Sequence, residues 1–227
     1  RIARIAIAAL ASVGMLASVA ACGSGQSTSE KNGTIEVAAS VNQWGTVAKA
    51  LGGDNVNVTS IINSTNVDAH DYEPTTSDIA KLQKAQVIIV NGAGYDAWAV
   101  KAAQTANAII VNAAEIGGVN DGENPHVWFS ADVRKAVAQA ITEAYEQADA
   151  AKKNDFDKMN DQWAAEENNV ESKIAEVKQK TDGLAYAATE SVASYLAEDM
   201  GLADATPSGY ARATANESEP TPTDIKQ

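Results

Sequence analysis

The chain contains only two histidines, and their surroundings are alike. His70 stands two residues after Asp68, and His126 stands two residues after Asn124. Neutral imidazole is the commonest metal-ligating side chain in proteins. A single loop histidine is more often a hydrogen-bonded structural residue, but two in matching contexts favour a shared metal site. The chain has one cysteine, which excludes a disulfide framework and a cysteine-rich zinc site.

Glu190 is the third candidate ligand. It lies between a predicted strand, residues 184–189, and a predicted helix, residues 191–200. A carboxylate in this place could instead interact with the positive end of that helix. If it meets both imidazoles, the set of two histidines and one glutamate, completed by further oxygen ligands, suits Zn, Mn or Fe.

The elements that must position these side chains alternate along the first half of the chain. Predicted strands and helices follow each other at 34–41, 44–51, 56–62, 76–85, 86–90, 95–105 and 108–111, beginning with a strand. This order implies a parallel sheet with right-handed crossovers, whose ligand sites lie beyond the carboxyl ends of the strands. His70 follows the second strand and His126 the fourth, so both imidazoles are expected at one edge. Thr76 or Ser77 is the expected cap of the second helix.

The second half of the chain is predicted to be a long linking helix followed by a smaller unit. Residues 131–180 are mostly helical in pattern, and the charged part 155–180 is expected to be a solvated spine between two lobes. One strand at 184–189 and one or two helices, the second beginning at Thr223, cannot bury a sheet face. The predicted fold class is therefore α/β, with two parallel-sheet lobes joined by one long helix and a C-terminal lobe that is incomplete in this chain.

Charge and targeting signals indicate where the protein works. There are 30 acidic and 17 basic residues, a net charge of −13, which argues against a nucleic-acid partner and suits a cation. A charged start and an apolar run ending at Cys22 have the layout of a secretory signal. The residues around Cys22 resemble a bacterial lipobox, in which the cysteine is lipidated, although a chance cysteine after a signal is the alternative.

Four stretches resemble the zinc/manganese-type solute-binding proteins of ABC transporters. Residues 68–78 (DAHDYEPTTSD) resemble the family signature D-x-H-x-Y-E-P-x-x-x-D, and residues 90–98 (VNGAGYDAW) resemble its strand end and turn. Residues 124–128 (NPHVW) resemble D-P-H-x-W with Asn in place of Asp. Residues 188–195 (ATESVASY) resemble a third motif, which has His in zinc importers and Glu in manganese-type members.

The resemblance implies both a ligand set and a function. By position, His70, His126 and Glu190 become metal ligands, and a fourth, acidic ligand would lie beyond Gln227. The protein would be a monomer, lipid-anchored to the outer face of the bacterial cell membrane, that captures Zn²⁺ or Mn²⁺ and delivers it to an ABC permease. The choice of metal stays open, because a carboxylate favours Mn whereas the usual affinity order favours Zn.

Two other functions compete with metal capture. A metal-dependent hydrolase could use the same three residues, but the sequence has no Ser/His/Asp set, H-E-x-x-H run or Gly-rich phosphate loop, so no enzyme is predicted. A surface adhesin is the other alternative, because some family members are described in that way. The expected organisation is a lipoprotein signal at 1–22, a tether at 23–33, an N-terminal lobe at 34–130, a linking helix at 131–181 and the start of a C-terminal lobe at 182–227.

Overall fold

Four parallel strands form the central sheet of the N-terminal half. The computed structural model describes residues 33–64, 66–67, 69–216 and 218–226. The strands are β1 (Ile35–Val41), β2 (Val56–Ile62), β3 (Val87–Val90) and β4 (Ile109–Asn112). Their order in the sheet is β2-β1-β3-β4, and every neighbouring pair is parallel. The predicted parallel sheet is therefore confirmed, with all carboxyl ends at one edge.

One helix follows each of these strands, and the helices cover the sheet. They are α1 (Asn42–Gly52), α2 (Thr76–Lys84), α3 (Ala97–Ala103) and α4 (Ala113–Ile116). All four residues of β3 are buried, as its unbroken apolar run predicts for a central parallel strand. Trp44 and Leu51 of α1 and Leu82 of α2 are fully buried against the sheet.

The cap of α2 differs from the prediction. Its N-cap is Thr75, not Thr76 or Ser77. The Thr75 hydroxyl accepts a hydrogen bond from the Asp78 N–H (3.2 Å), and the Asp78 carboxylate accepts one from the Thr75 N–H (3.0 Å). This reciprocal pair is a capping box, and the spacing of Thr75 and Asp78 is what selects the first of three adjacent hydroxyl residues.

Two long helices follow the sheet. They are α5 (Ala131–Ala148) and α6 (Lys153–Thr181), separated by a 3₁₀ turn at Ala150–Lys152. The 29 residues of α6 include only two buried ones, Phe156 and Glu167. The predicted long, solvated, charged helix is therefore present, although it starts earlier than residue 155.

The C-terminal region is built from shorter elements. It contains β5 (Ala185–Tyr186), α7 (Ser194–Asp199), β6 (Ala203–Asp204), α8 (Ser208–Ala215) and α9 (Pro222–Ile225). The predicted strand 184–189 is thus only two residues long, and a second strand and α8 were missed because neither has an apolar run. β5 and β6 pair in parallel, as the fold class requires of a second sheet.

The α/β fold class with a parallel sheet and a long helix is confirmed. The compact unit Gly33–Gln227 holds both sheets, and the predicted boundaries between lobes and linking helix stay predictions. The predicted signal, Cys22 and all but the last residue of the tether lie outside the described residues. Within the described ranges, no helix combines the length and the hydropathy needed to cross a bilayer.

Candidate metal centre

The two histidines come together at the carboxyl edge of the central sheet. Their ring centroids are 6.3 Å apart, with the ring planes at 66°. His70 lies in the segment between β2 and α2 and is exposed, whereas His126 lies just before the 3₁₀ turn Val127–Phe129 and is half-buried. The segments that follow β2 and β4 therefore place both imidazoles at one edge of the sheet, where the sequence predicts them.

Two aromatic side chains pack against the imidazole pair. The Tyr95 ring meets the His70 ring edge-on at 4.7 Å and the His126 ring at 5.7 Å. Trp128 packs 5.3 Å from His126 and 5.2 Å from Tyr95. Edge-to-face contacts of this kind are favourable and directional, so the four rings restrict one another's orientation.

Asn124 orients the His126 ring. Its side-chain oxygen lies 2.6 Å from Nδ1 of His126 and also accepts the backbone N–H of His126 at 3.2 Å. An amide oxygen can only accept, so a hydrogen bond at this contact requires the neutral ring to have its proton on Nδ1 and its lone pair on Nε2. This is the arrangement in which a metal-ligating histidine is usually held.

A buried amide connects the His126 loop to the core. The Trp44 indole N–H donates to Oδ1 of Asn91 (2.9 Å), and Nδ2 of Asn91 donates to the carbonyl oxygen of Pro125 (2.9 Å). Trp44 and Asn91 are both fully buried. Because Pro125 directly precedes His126, the core fixes the height of this loop above the sheet.

The turn after β3 is closed by a buried carboxylate. Asp96 accepts hydrogen bonds from the backbone N–H groups of Asn91 (2.7 Å) and Gly92 (2.8 Å). Burial raises the pKa of Asp96, and these N–H groups counteract part of that rise. Gly92 has φ +80°, and a Cβ there would lie 2.2 Å from Oδ1 of Asn112, so this turn requires glycine. The turn places Tyr95 beside the imidazoles.

The segment from Tyr72 to Asp78 is held by the capping box of α2. Tyr72 donates its hydroxyl to Asp78 (2.8 Å), and its ring packs 5.3 Å from Trp98. The pKa of Asp78 is held well below its usual range, chiefly by the Thr75 hydroxyl and further by the Tyr72 hydroxyl and the Lys81 ammonium. These contacts fix the chain directly after His70.

The 3₁₀ turn Val127–Phe129 is held by a buried ion pair. Arg134 of α5 pairs with Glu167 of α6, and both side chains are largely buried. The same guanidinium donates to the backbone carbonyl of Trp128 (3.0 Å). The turn that follows His126 is thus attached to both long helices.

Glu190 does not join the two imidazoles in this structure. Its side chain is exposed, and among the described residues no three His, Cys, Asp or Glu side chains form a group that could hold a metal ion. Its neighbour Ser191 contacts the residue that bonds His126, because the Ser191 carbonyl oxygen accepts a hydrogen bond from Nδ2 of Asn124 (2.9 Å). In the part of the chain that the structure describes, the two histidines are therefore together, and the predicted third donor, Glu190, lies on the segment that contacts Asn124.

Two imidazoles supply half of a tetrahedral ligand set. Bound to one metal at about 2.0–2.1 Å through nitrogen, their ring centroids would be roughly 5 Å apart. The observed 6.3 Å is slightly wider. A small approach of the exposed His70 ring towards His126 would therefore allow both to bind the same ion.

The residues that support the two histidines are not apparent from the sequence. The pattern indicates only a strand end at Asn91, a helix start at Tyr95 and a departure from the motif at Asn124. The available signal for Asn124 was its position two residues before a histidine, where an Asn side chain commonly bonds the backbone two residues on.

A family model described as "Zinc-uptake complex component A periplasmic" (ZnuA) matches residues 37–227. The chain belongs to the ZnuA family. Each of the residues described above, from Trp44 to Ser191, lies within the matched range.

Curated relatives of this ZnuA-family chain are named as components of metal transporters. It is 24% identical over 208 residues to the high-affinity zinc uptake system protein ZnuA of Bacillus subtilis, covering 81% of this chain and 65% of that protein. It is 28% identical over 159 residues to the metal ABC transporter substrate-binding lipoprotein ScbA of Streptococcus cristatus, covering 62% and 50%. It is 25% identical over 162 residues to the manganese ABC transporter substrate-binding lipoprotein PsaA of Streptococcus pneumoniae, covering 64% and 52%. The chain thus spans about half to two thirds of the length of these relatives.

Solved structures share the fold of this ZnuA-family chain. The metal-dependent lipoprotein YcdH of Bacillus subtilis superposes with a TM-score of 0.69 at 24% identity, over 75% of this chain and 66% of that one. Zn(II)-bound AdcA of Streptococcus pneumoniae superposes with a TM-score of 0.66 at 20% identity, over 76% and 39%. At these identities the likeness supports the architecture alone.

Proposed function

We propose that this chain captures a divalent transition metal outside the cell membrane and delivers it to an ABC permease. The observation that carries the proposal is the meeting of His70 and His126 at 6.3 Å, with Asn124 fixing the ring of His126. The metal is cargo, so the site needs ligands but neither a nucleophile nor a general base. Membership of the ZnuA family and the transporter names of the relatives support delivery to a permease rather than catalysis.

Glu190 is proposed as the third ligand. It directly precedes Ser191, whose carbonyl oxygen is hydrogen-bonded to the same Asn124 that bonds His126. A shift of the exposed Glu190 segment towards the imidazoles would add a carboxylate to the site. A net charge of −13 also favours the approach of cations.

Zinc and manganese are both proposed as cargo. Two imidazoles favour Zn²⁺, which also binds a given set of nitrogen and oxygen ligands more tightly than Mn²⁺. The Glu190 carboxylate suits Mn²⁺, the metal in the name of PsaA, whereas the relative from Bacillus subtilis is named for zinc. Competition between the two ions in one calorimetric titration would order their affinities.

Ligand substitution tests the proposal. His70→Ala and His126→Ala are each expected to lower metal affinity at least tenfold, about 1.4 kcal/mol, because the chain has no other histidine to substitute. Isothermal titration with Zn²⁺ and Mn²⁺ measures the effect. Both variants binding like the parent would refute the assignment.

Glu190→Gln is expected to weaken binding, but by less than either histidine variant, because its carboxylate must first move to the site. Glu198→Gln is the matched control, since Glu198 is also exposed and lies only eight positions further along the chain. Equal effects of the two glutamine variants would remove Glu190 from the ligand set.

Lipid attachment at Cys22 is proposed from the lipobox-like sequence and from the relatives named as lipoproteins. Cys22→Ala is expected to move the protein from the membrane fraction into the soluble fraction, because two acyl chains give stable attachment. Fractionation of cells producing each form measures this. Continued membrane association of the variant would mean that the apolar segment itself is the anchor.

A further inference from the structure

Asn124 forms hydrogen bonds both with its near neighbour His126 and with a segment far away in sequence. Its side-chain oxygen accepts from the backbone N–H of His126 and lies against Nδ1 of that ring. Its Nδ2 donates to the carbonyl oxygen of Ser191 (2.9 Å), and its own carbonyl oxygen accepts from the Tyr195 hydroxyl (2.8 Å). Ser191 and Tyr195 are 67 and 71 positions away in sequence.

The Tyr195 contact is a fixed one. The ring is half-buried and packs against the main hydrophobic core. Burial, with the nearby negative charges of Glu123 and Glu198, raises the pKa of Tyr195, so its hydroxyl stays a donor. Together, the Ser191 and Tyr195 bonds attach the segment that follows Glu190 to the residue that orients His126.

We propose that Asn124 is a positioning residue that couples the orientation of the His126 imidazole to the segment carrying Glu190. This inference rests on the proposed metal-binding function. A movement of residues 191–195 changes two hydrogen bonds of Asn124, and Asn124 passes the change to the ring through its side-chain oxygen. The two ligand-bearing segments are thereby positioned together.

The amide is required for this coupling. A carboxylate at position 124 could accept from His126 in the same way, but it has no N–H to donate to the Ser191 carbonyl. Alanine could do neither. Three substitutions therefore separate the roles. Asn124→Asp removes only the bond to the Ser191 carbonyl, Tyr195→Phe removes only the bond from the Tyr195 hydroxyl, and Asn124→Ala removes the bonds of the side chain to both His126 and Ser191.

The tautomer of His126 tests the acceptor role without any metal. Long-range ¹H–¹⁵N spectra of the metal-free chain at about pH 8.5, where imidazole is neutral, report which ring nitrogen carries the proton, and His70→Ala assigns the signals. The parent and Asn124→Asp are expected to show the Nδ1–H form, and Asn124→Ala a substantial Nε2–H population. An unchanged tautomer in Asn124→Ala, or its loss in Asn124→Asp, overturns the proposal.

A double-mutant cycle on Zn²⁺ affinity tests the coupling. Asn124→Ala is expected to lower the affinity for Zn²⁺ about tenfold. Tyr195→Phe is expected to lower it about threefold, although Tyr195 is not a proposed ligand. In the Asn124→Ala background, Tyr195→Phe should have no further effect, because the link to the ring is already cut. No effect of Tyr195→Phe in the parent, or an equal effect in both backgrounds, overturns the coupling.

The result remains interpretable if other steps fail. A parent chain that binds neither Zn²⁺ nor Mn²⁺ refutes the proposed function, whereas the tautomer comparison still decides the role of Asn124. If Asn124→Ala does not give the circular dichroism spectrum of the parent, the His126 resonances of Tyr195→Phe decide instead. A shift of those resonances supports the coupling, and identical resonances overturn it.

Discussion

The two halves of the chain differ strongly in how many of their side chains are buried. In the central sheet every residue of β3 is buried, and the helices around it bury large side chains such as Trp44 and Leu82. In the described part of residues 182–226, Ala197 is the one buried residue, and Leu184 and Ile225 are more than half exposed. The two proposed histidine ligands belong to the first half and Glu190 to the second.

Local sequence signals are not what separates the halves. The same capping box occurs in both, at Thr75 with Asp78 and at Thr221 with Asp224. What differs is the packing behind it: α2 buries Asp78 and Leu82, whereas α9 buries nothing. A correct local motif therefore fixes a helix start, while burial decides whether that start contributes much to stability.

Amide hydrogen exchange should show the largest contrast. Ile88–Val90 of β3 are expected to exchange only through global unfolding, which costs on the order of 5–15 kcal/mol in a typical domain. Ala185 and Tyr186 of β5 should exchange through local opening, because few buried contacts hold that strand. Comparable protection of β3 and β5 would show that the C-terminal region is as stable as the sheet.

Side-chain truncation should give the next largest difference. Trp44→Ala is expected to cost about 3–5 kcal/mol of unfolding free energy, because it empties a fully buried site and leaves Asn91 without its indole donor. Leu184→Ala, at a side chain that is 55% exposed, should change stability by less than about 0.5 kcal/mol. Urea unfolding followed by circular dichroism measures both. A large cost at Leu184 would contradict the contrast.

The two capping boxes give the smallest and most closely matched test. Thr75→Ala is expected to cost about 1 kcal/mol, and Thr221→Ala clearly less, because α9 has four residues and no buried side chain. The same urea titration compares them. Equal losses would mean that the cap itself, not the packing behind it, sets the contribution.

The pH dependence of stability follows from the Asp78 box. The folded-state pKa of Asp78 is lowered, chiefly by the Thr75 hydroxyl. Its contribution is therefore present above the unfolded-state value of about 4 and is lost as the pH falls below it. Asp78→Asn should lower stability at neutral pH and weaken the acid-induced loss, and a parent-like acid profile in this variant would contradict that account.

The sequence predicted the strands and helices of the first half better than those of the second. Buried parallel strands such as β3 have unbroken apolar runs, which are visible without a structure. β6 and α8 have none, so their formation depends on neighbours that a local pattern does not show. The cap of α2 was predicted one or two residues late because Thr75, Thr76 and Ser77 all have hydroxyls, and only the reciprocal bond with Asp78 distinguishes them.

The candidate site shows the same limit. The topology brought His70 and His126 to one edge, as predicted from the strand order. The Asn91 bridge between Trp44 and Pro125 joins residues far apart in sequence, and no spacing rule reveals it. The exposed state of Glu190 likewise depends on tertiary placement rather than on its local motif.

Helix α6 has a mechanical consequence for the C-terminal region. Near its start, Phe156 is buried against Tyr145 with ring centroids 5.4 Å apart, and at its end the Thr181 hydroxyl donates to the carbonyl oxygen of Met200 (2.6 Å). The last buried residue of α6 is Glu167, which pairs with Arg134 of α5. The part of the helix beyond it, as far as Thr181, is about 21 Å long at 1.5 Å per residue, so a bend of one degree at Glu167 displaces Thr181 by about 0.4 Å. Small rotations next to the core are therefore enlarged with distance along the exposed end of α6 before they reach the C-terminal region.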